Sequence, residues 1–294
     1  MLSQAELELL CRVSDRGRPP VPDTPLRLAI DMATDADFPQ DRLIEQLESD
    51  AHLSFGLLSL ANLPLLVRAR TIRTVRQAVT MLGQRHCREL LWVLALSDVL
   101  QLSVPNVPPR SRDRLWRHSL LTGVMTLHLT ALFPCNQADA ALSAGMAHDL
   151  GHLLLNNPAP RLGIVWHSEH DQLPERAPEG IPERDHCRLG GALLEFWNAP
   201  AALVATARHH HAPEQATADL LPLVASVRLA DLVTESLDAD ESHRPVRLTA
   251  HSQWAQLQSL TPWDQIPDLE LRLIELLPEA ILQAEHLANL LGRN

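Results

Sequence analysis

Apolar residues recur three and four positions apart along almost the whole of this 294-residue chain, and runs of strand-like alternation rich in Val, Ile and Thr are nearly absent. That spacing gives each segment one hydrophobic stripe, and successive stripes are buried by packing helix on helix. Helices are predicted over 26–33, 40–63, 76–100, 114–133, 138–155, 187–197, 200–210, 219–238 and 267–292. In 40–63, for instance, Leu43, Leu47, Leu53, Leu57, Leu58 and Ala61 fall at helical spacing. The expected fold class is all-α, a two-part helical bundle.

Proline sets the division. The stretch VPNVPPRSRD (104–113) ends any helix entering it, because proline lacks the amide donor and clashes with the preceding turn. The expected parts are therefore residues 1–105 and 110–294. A second proline-rich stretch, 156–185, and a looser one, 239–265, read as loops beside the second part.

Charge and composition narrow the partners. The basic residues number 25, all arginine, against 36 acidic ones, for a formal charge of −11. Lysine and tyrosine are absent, and six Trp with four Phe leave few platforms for stacking bases. Nucleic acid is not an expected partner. Arg68, Arg70, Arg73, Arg76, Arg85 and Arg88 form a local basic run, which reads as a solvated helix face in a chain that uses arginine for every cation. MLSQAELELL carries two glutamates and no basic lead, so it is not a signal peptide. The longest apolar runs, 53–67 and 90–96, fall short of the roughly 18–20 unbroken apolar residues of a membrane span. Cys11, Cys87, Cys135 and Cys187 are scattered, as expected of reduced thiols in a cytoplasmic protein, and Cys187 reads as buried packing.

The fifteen histidines carry the functional signal. ALSAGMAHDLGHLLL (141–155) is an apolar segment interrupted by His148, Asp149 and His152. Neighbours on a helix lie about 100° apart, so His148 and Asp149 can both reach one ion, and His152 follows one turn on. An imidazole and a carboxylate inside an apolar segment need a compensating partner. Other polar residues recur at helical positions in order: His118, then His186, then His210 and His211, then Asp231. Five imidazoles and two carboxylates exceed what one tetrahedral ion uses. They suit two borderline divalent ions (iron, manganese or zinc) sharing a carboxylate. His209 lies about 100° from His210 and is expected to face away. His128, His167, His170, His243 and His251 fit no pattern with the set and read as surface residues.

The ordered set His118, His148-Asp149 and Asp231 resembles the HD metal-dependent phosphohydrolase superfamily. Over roughly 40–235 the chain is similar to a narrower group, the HDOD (HD-related output domain) signalling proteins. LESDAHLSFGLLSLANL (47–63), TIRTVRQAVTMLG (71–83), LWRHSLLTG (115–123), AGMAHDLGHLLL (144–155), DHCRLGGALLEFWNAP (185–200) and ARHHHAPE (207–214) match its pattern in order. The resemblance implies an N-terminal HDOD-specific helical part, an HD-type helical core and a regulatory role. Signalling protein partners, or a fused or upstream sensor domain, are then expected. Many relatives have lost the metal ligands, and this chain keeps them.

Two departures bear on activity. The HD-GYP cyclic di-GMP phosphodiesterases follow the HD pair with a lysine, where this chain has His152. Their HHE-x-x-DGxGYP signature is replaced by HHHAPEQATAD. The leading expectation is a regulatory module with a retained metal site. The alternative is a metal-dependent phosphohydrolase acting on a nucleotide or phosphoester. In it Asp149 would bridge two ions and His152 or an arginine would steady the developing charge.

Overall fold

The computed structural model describes residues 24–35, 38–63, 71–101, 109–155, 185–238, 248, 253–260 and 263–292. Among them the chain is all-helical. In order they are α1 Thr24–Thr34, α2 Gln40–Glu48, α3 Ala51–Ala61, α4 Val75–Gln101, α5 Pro109–Thr130, α6 Ala141–Ala147, α7 His152–Leu155, α8 Asp185–Phe196, α9 Ala201–His209, α10 Leu221–Asp238, α11 Trp254–Gln258 and α12 Leu269–Leu291. No strand occurs among the described residues.

Several elements differ from the periodicity reading, each for a local reason. The segment 40–63 is two helices, because the Asp50 carboxylate accepts from the His52 and Leu53 amides and starts α3 afresh. In α4 the left-handed φ of 78° at Gly83 kinks the helix, a conformation glycine adopts without a Cβ clash. The segment 138–155 breaks into a 3-10 turn, α6 and the short α7. Between α6 and α7 the bonds tighten to three residues: Leu150 N–H donates to Ala147 O at 3.2 Å and His152 N–H to Asp149 O at 3.0 Å. The His148-Asp149 pair therefore sits on a turn at a helix end, not within one continuous helix. Residues 102–108 and 156–184, which hold most of the predicted proline boundary and the long loop, lie outside the described residues, as do His167, His170, His243 and His251.

Helix α5 is the hub, packing against α6, α10 and α12, while α4 packs against α1, α3 and α6. One apolar core runs from Leu28 through Trp92, Leu120, Ala144, Trp197 and Val224 to Leu287. The α5–α6 approach depends on glycine: a Cβ at Gly145 would lie 2.5 Å from Gly123 Cα. This contact brings the end of α6, and with it His148, against the His118 turn of α5.

His128 departs from its expected place on the surface. It is buried, with Nε2 3.1 Å from Gln283 Oε1, and joins α5 to α12. Three arginines of the run, Arg76, Arg85 and Arg88, meet acidic neighbours. Arg76 pairs with Asp41 at 3.3 Å, Arg85 holds Asp139 and the Asn136 carbonyl, and Arg88 lies 3.7 Å from Glu89. Arg68 and Arg70 lie outside the described residues.

Candidate metal centre

Five stretches of the chain deliver the polar set to one place. His118 comes from α5, and His148 and Asp149 from the turn after α6. His186 comes from the first turn of α8, His210 and His211 from the end of α9, and Asp231 from α10. A second close approach makes this feasible: a Cβ at Gly151 would lie 1.9 Å from His186 O, so only glycine lets α8 sit against the turn.

Asp149 stands at the centre, and its two oxygens face different groups. Oδ2 lies 3.3 Å from His148 Nε2 and 3.6 Å from His118 Nε2. Asp231 Oδ1 closes that side, 3.2 Å from His118 Nε2 and 3.5 Å from His148 Nε2. Asp149 Oδ1 lies 3.6 Å from His186 Nε2 and 3.5 Å from His210 Nε2. On this side His186 Nε2 is 3.3 Å from His210 Nε2 and 3.1 Å from His211 Nε2. His152 Nε2 is 3.8 Å from Asp149 Oδ1, and its ring stacks on His186 with centroids 4.3 Å apart.

The tautomers follow from the partners. His148 Nδ1–H donates to Gly145 O at 2.7 Å and His210 Nδ1–H to Thr206 O at 3.1 Å, because a carbonyl only accepts. In the neutral ring each Nε2 is then a lone pair aimed at the centre. Lone pairs and carboxylate oxygens converging in a largely buried space repel unless a cation lies among them. This donor set fits divalent transition ions, whose imidazole and carboxylate ligands are held by second hydrogen bonds of this kind.

The electrostatics divide along the same line. Burial opposes charge on His148, but Asp149 and Asp231 prevail and hold it well above the ordinary imidazole range. Burial likewise opposes charge on Asp149 and Asp231, and the histidines around them nevertheless keep both carboxyls well below the usual carboxylate range. On the other side burial, reinforced by neighbouring histidines, pushes His186 well down and His211 down to about 3. Burial also lowers His152, against the pull of Asp149.

All seven expected ligand residues, and His152, converge. Two further residues belong to the same place and lie outside the set read from the sequence. Cys187 is buried, as expected, and its Sγ borders the imidazoles, 3.3 Å from His186 Nε2 and 3.9 Å from His210 Nε2. Arg228 is buried on α10, donating to Asp231 Oδ2 and to Gln253 Oε1, the latter at 2.7 Å from Nη2. Its signal in the sequence is the i, i+3 spacing to Asp231. His209, whose pKa is lowered by partial burial and by Arg208, joins none of the clusters that could hold an ion among the described residues.

Comparison with known proteins agrees with this architecture. The HDOD domain family matches residues 19–213, well over half of the chain. The chain belongs to the HDOD family. An HDOD domain protein from Geobacter sulfurreducens has a similar structure, with a TM-score of 0.68 and 24% identity over 98% of this chain and 99% of that one. A candidate phosphohydrolase from Shewanella amazonensis SB2B is similar at a TM-score of 0.65 and 20% identity, covering 97% and 98% of the two chains. A protein of Treponema pallidum is 24% identical over 212 residues, 69% of this chain. The HDOD chain spans 40% of the length of that curated relative. Among the described residues no helix is long and apolar enough to cross a membrane.

Proposed function

We propose that this HDOD protein is a cytoplasmic regulatory module whose HD-type core, within residues 110–294, holds two divalent transition ions. The observation that carries this reading is the division of Asp149, whose two oxygens face two separate donor groups. His118, His148 and Asp231 would hold one ion with Oδ2, and His186, His210 and His211 the other with Oδ1. When bound, such ions supply Lewis acidity and a fixed positive charge for a phosphate or nucleotide. The chain's own groups orient the site: Gly145 and Thr206 carbonyls fix two imidazoles, and Arg228 turns Asp231 inward. Iron, manganese and zinc all suit the donor set. The N-terminal helices, within 1–105, would carry the contact with a signalling partner or sensor domain.

Elemental analysis tests the centre. The protein purified without chelator should carry about two transition ions per chain. Asp149→Asn should lose most of both, because the amide bridges poorly where the carboxylate spans both groups. Metal at background level in the wild-type protein would end this reading.

The second reading, a metal-dependent phosphohydrolase, draws on the Shewanella similarity and on the completeness of the His/Asp set. Against it stands His152, which falls where the resembling HD-GYP enzymes carry a lysine and whose charged form burial disfavours. Metal-dependent cleavage of a nucleotide or phosphoester that disappears in Asp149→Asn would favour this second reading.

A further inference from the structure

The two sides of Asp149 are chemically unequal. The side built on His118, His148 and Asp231 offers nitrogen and oxygen donors only. The other side adds sulfur, because Cys187 follows His186 in the first turn of α8 and both side chains point to the end of α9. We infer that Cys187 is a further ligand of the second ion, joining His186, His210 and His211 in a near-tetrahedral set that selects zinc, with Asp149 Oδ1 as a fifth donor that keeps the bridge to the first ion. This rests on the metal centre proposed above, but concerns a residue outside its His/Asp set.

The donor spacing carries the inference. A tetrahedral zinc ion with Zn–N near 2.0–2.1 Å and Zn–S near 2.3 Å separates its nitrogen donors by about 3.3–3.4 Å and nitrogen from sulfur by about 3.6 Å. The observed nitrogen edges are 3.3 Å for His186–His210 and 3.1 Å for His186–His211. The sulfur edges are 3.3 Å to His186 and 3.9 Å to His210, either side of the ideal. All four donor atoms lie within 4.8 Å of one another. His186, Cys187 and His210 are buried, so the donors meet in a closed space and not on a loose surface. Adjacent residues of one helix normally diverge by about 100°, yet His186 Nε2 and Cys187 Sγ lie 3.3 Å apart, and both lie within 4 Å of His210 Nε2.

A thiolate changes what the position accepts. Sulfur donors favour zinc over manganese and the alkaline-earth ions, whereas the nitrogen and carboxylate set opposite lacks that bias. On binding, the Cys187 thiol gives its proton to solvent and the ion takes its place, with no change of oxidation state. The centre then holds zinc firmly on the α8–α9 side and an exchangeable divalent ion on the α5–α10 side.

Cobalt(II) is the probe. Protein stripped by chelator and titrated with cobalt(II) should develop a sulfur-to-cobalt charge-transfer band in the near ultraviolet beside the visible bands of bound cobalt. In Cys187→Ser and Cys187→Ala that charge-transfer band should vanish while visible cobalt bands persist. Visible bands without charge transfer in the wild-type protein would overturn the thiolate ligand and leave the metal centre standing. A charge-transfer band that survives in both variants would overturn it as well. No cobalt bound at all would overturn the centre and the ligand together. Should the variants fail to fold by circular dichroism, X-ray absorption of the wild-type zinc protein decides alone. One sulfur scatterer at about 2.3 Å supports the assignment, and a shell of nitrogen and oxygen only rejects it.

Discussion

Arg228 donates to Asp231 Oδ2, one oxygen of a carboxylate whose other oxygen lies 3.2 Å from His118 Nε2. The guanidinium is itself buried and anchored by Gln253, so it fixes which oxygen faces the histidines. Arg228→Ala takes the guanidinium from a buried carboxylate and leaves it only the histidines, a change that costs up to about 3–5 kcal/mol. Urea unfolding in chelator should show that loss. Adding zinc should recover part of it, since an ion beside Asp231 replaces the missing charge. Equal losses with and without metal would separate Arg228 from the centre.

The metal-free protein should lose stability as pH falls below about 6.5, the ordinary imidazole value. His211, held down to about 3, and the strongly lowered His186 stay neutral in the fold while the unfolded chain takes up protons, and burial shifts His152 in the same direction. The unfolded state then binds more protons, and each such group removes about 1.4 kcal/mol per pH unit. His211 alone contributes about 2 kcal/mol of loss between pH 6.5 and 5. His148 acts in the opposite window: its raised value adds stability that is complete below the ordinary range and is lost as pH rises through the folded value. Urea melts in chelator between pH 7 and 5 measure the slope, which His211→Gln should reduce by about one proton.

How much of this is legible in the sequence depends on which contacts are local. The helical stripes and the order of His118, His148, Asp149, His186, His210, His211 and Asp231 can be read directly, because periodicity and residue type carry both. The turn at His148-Asp149 cannot, because the apolar stripe runs on across it and the close packing of α8 against Gly151 joins residues far apart in sequence. His128 reads as a surface residue because its partner Gln283 lies 155 positions away. Cys187 reads as packing for want of a second soft ligand, and its nearness to the imidazoles of α8 and α9 appears only in the fold. The Asp50 cap that divides 40–63 is visible as a residue, but the apolar stripe continues across it.

Gly151→Ala should damage one side of the centre selectively. Its new Cβ would meet the His186 carbonyl at 1.9 Å and Gly190 N at 2.8 Å, backbone atoms that move only if α8 moves. Overpacking of this kind costs about 1–3 kcal/mol or more. Cobalt titration should show loss of the sulfur charge-transfer band from the α8–α9 side, with binding on the His118, His148 and Asp231 side retained. Unchanged spectra would mean that the turn and α8 are not held as closely as the structure indicates.

Metal should stabilise the fold while turnover of cyclic di-GMP stays undetectable. The seven proposed ligands come from positions as far apart as His118 and Asp231, so only the folded chain gathers them. An ion that binds the native state alone adds on the order of 3–4 kcal/mol at 100 to 1,000 times its dissociation constant. Protonated imidazole cannot ligate, so that gain should fade as pH drops and protons compete for the same nitrogens. Catalysis asks for a cation aimed at phosphate as well. The sequence holds no lysine, burial disfavours the charged form of His152, and Arg228 is already committed to Asp231 and Gln253. A thermal melt with and without chelator, run beside a cyclic di-GMP hydrolysis assay with manganese or iron supplied, checks both halves. A melting point indifferent to chelator would remove the metal from the fold's stability. Metal-dependent cleavage of the cyclic dinucleotide would show that some group other than a lysine grips the phosphate.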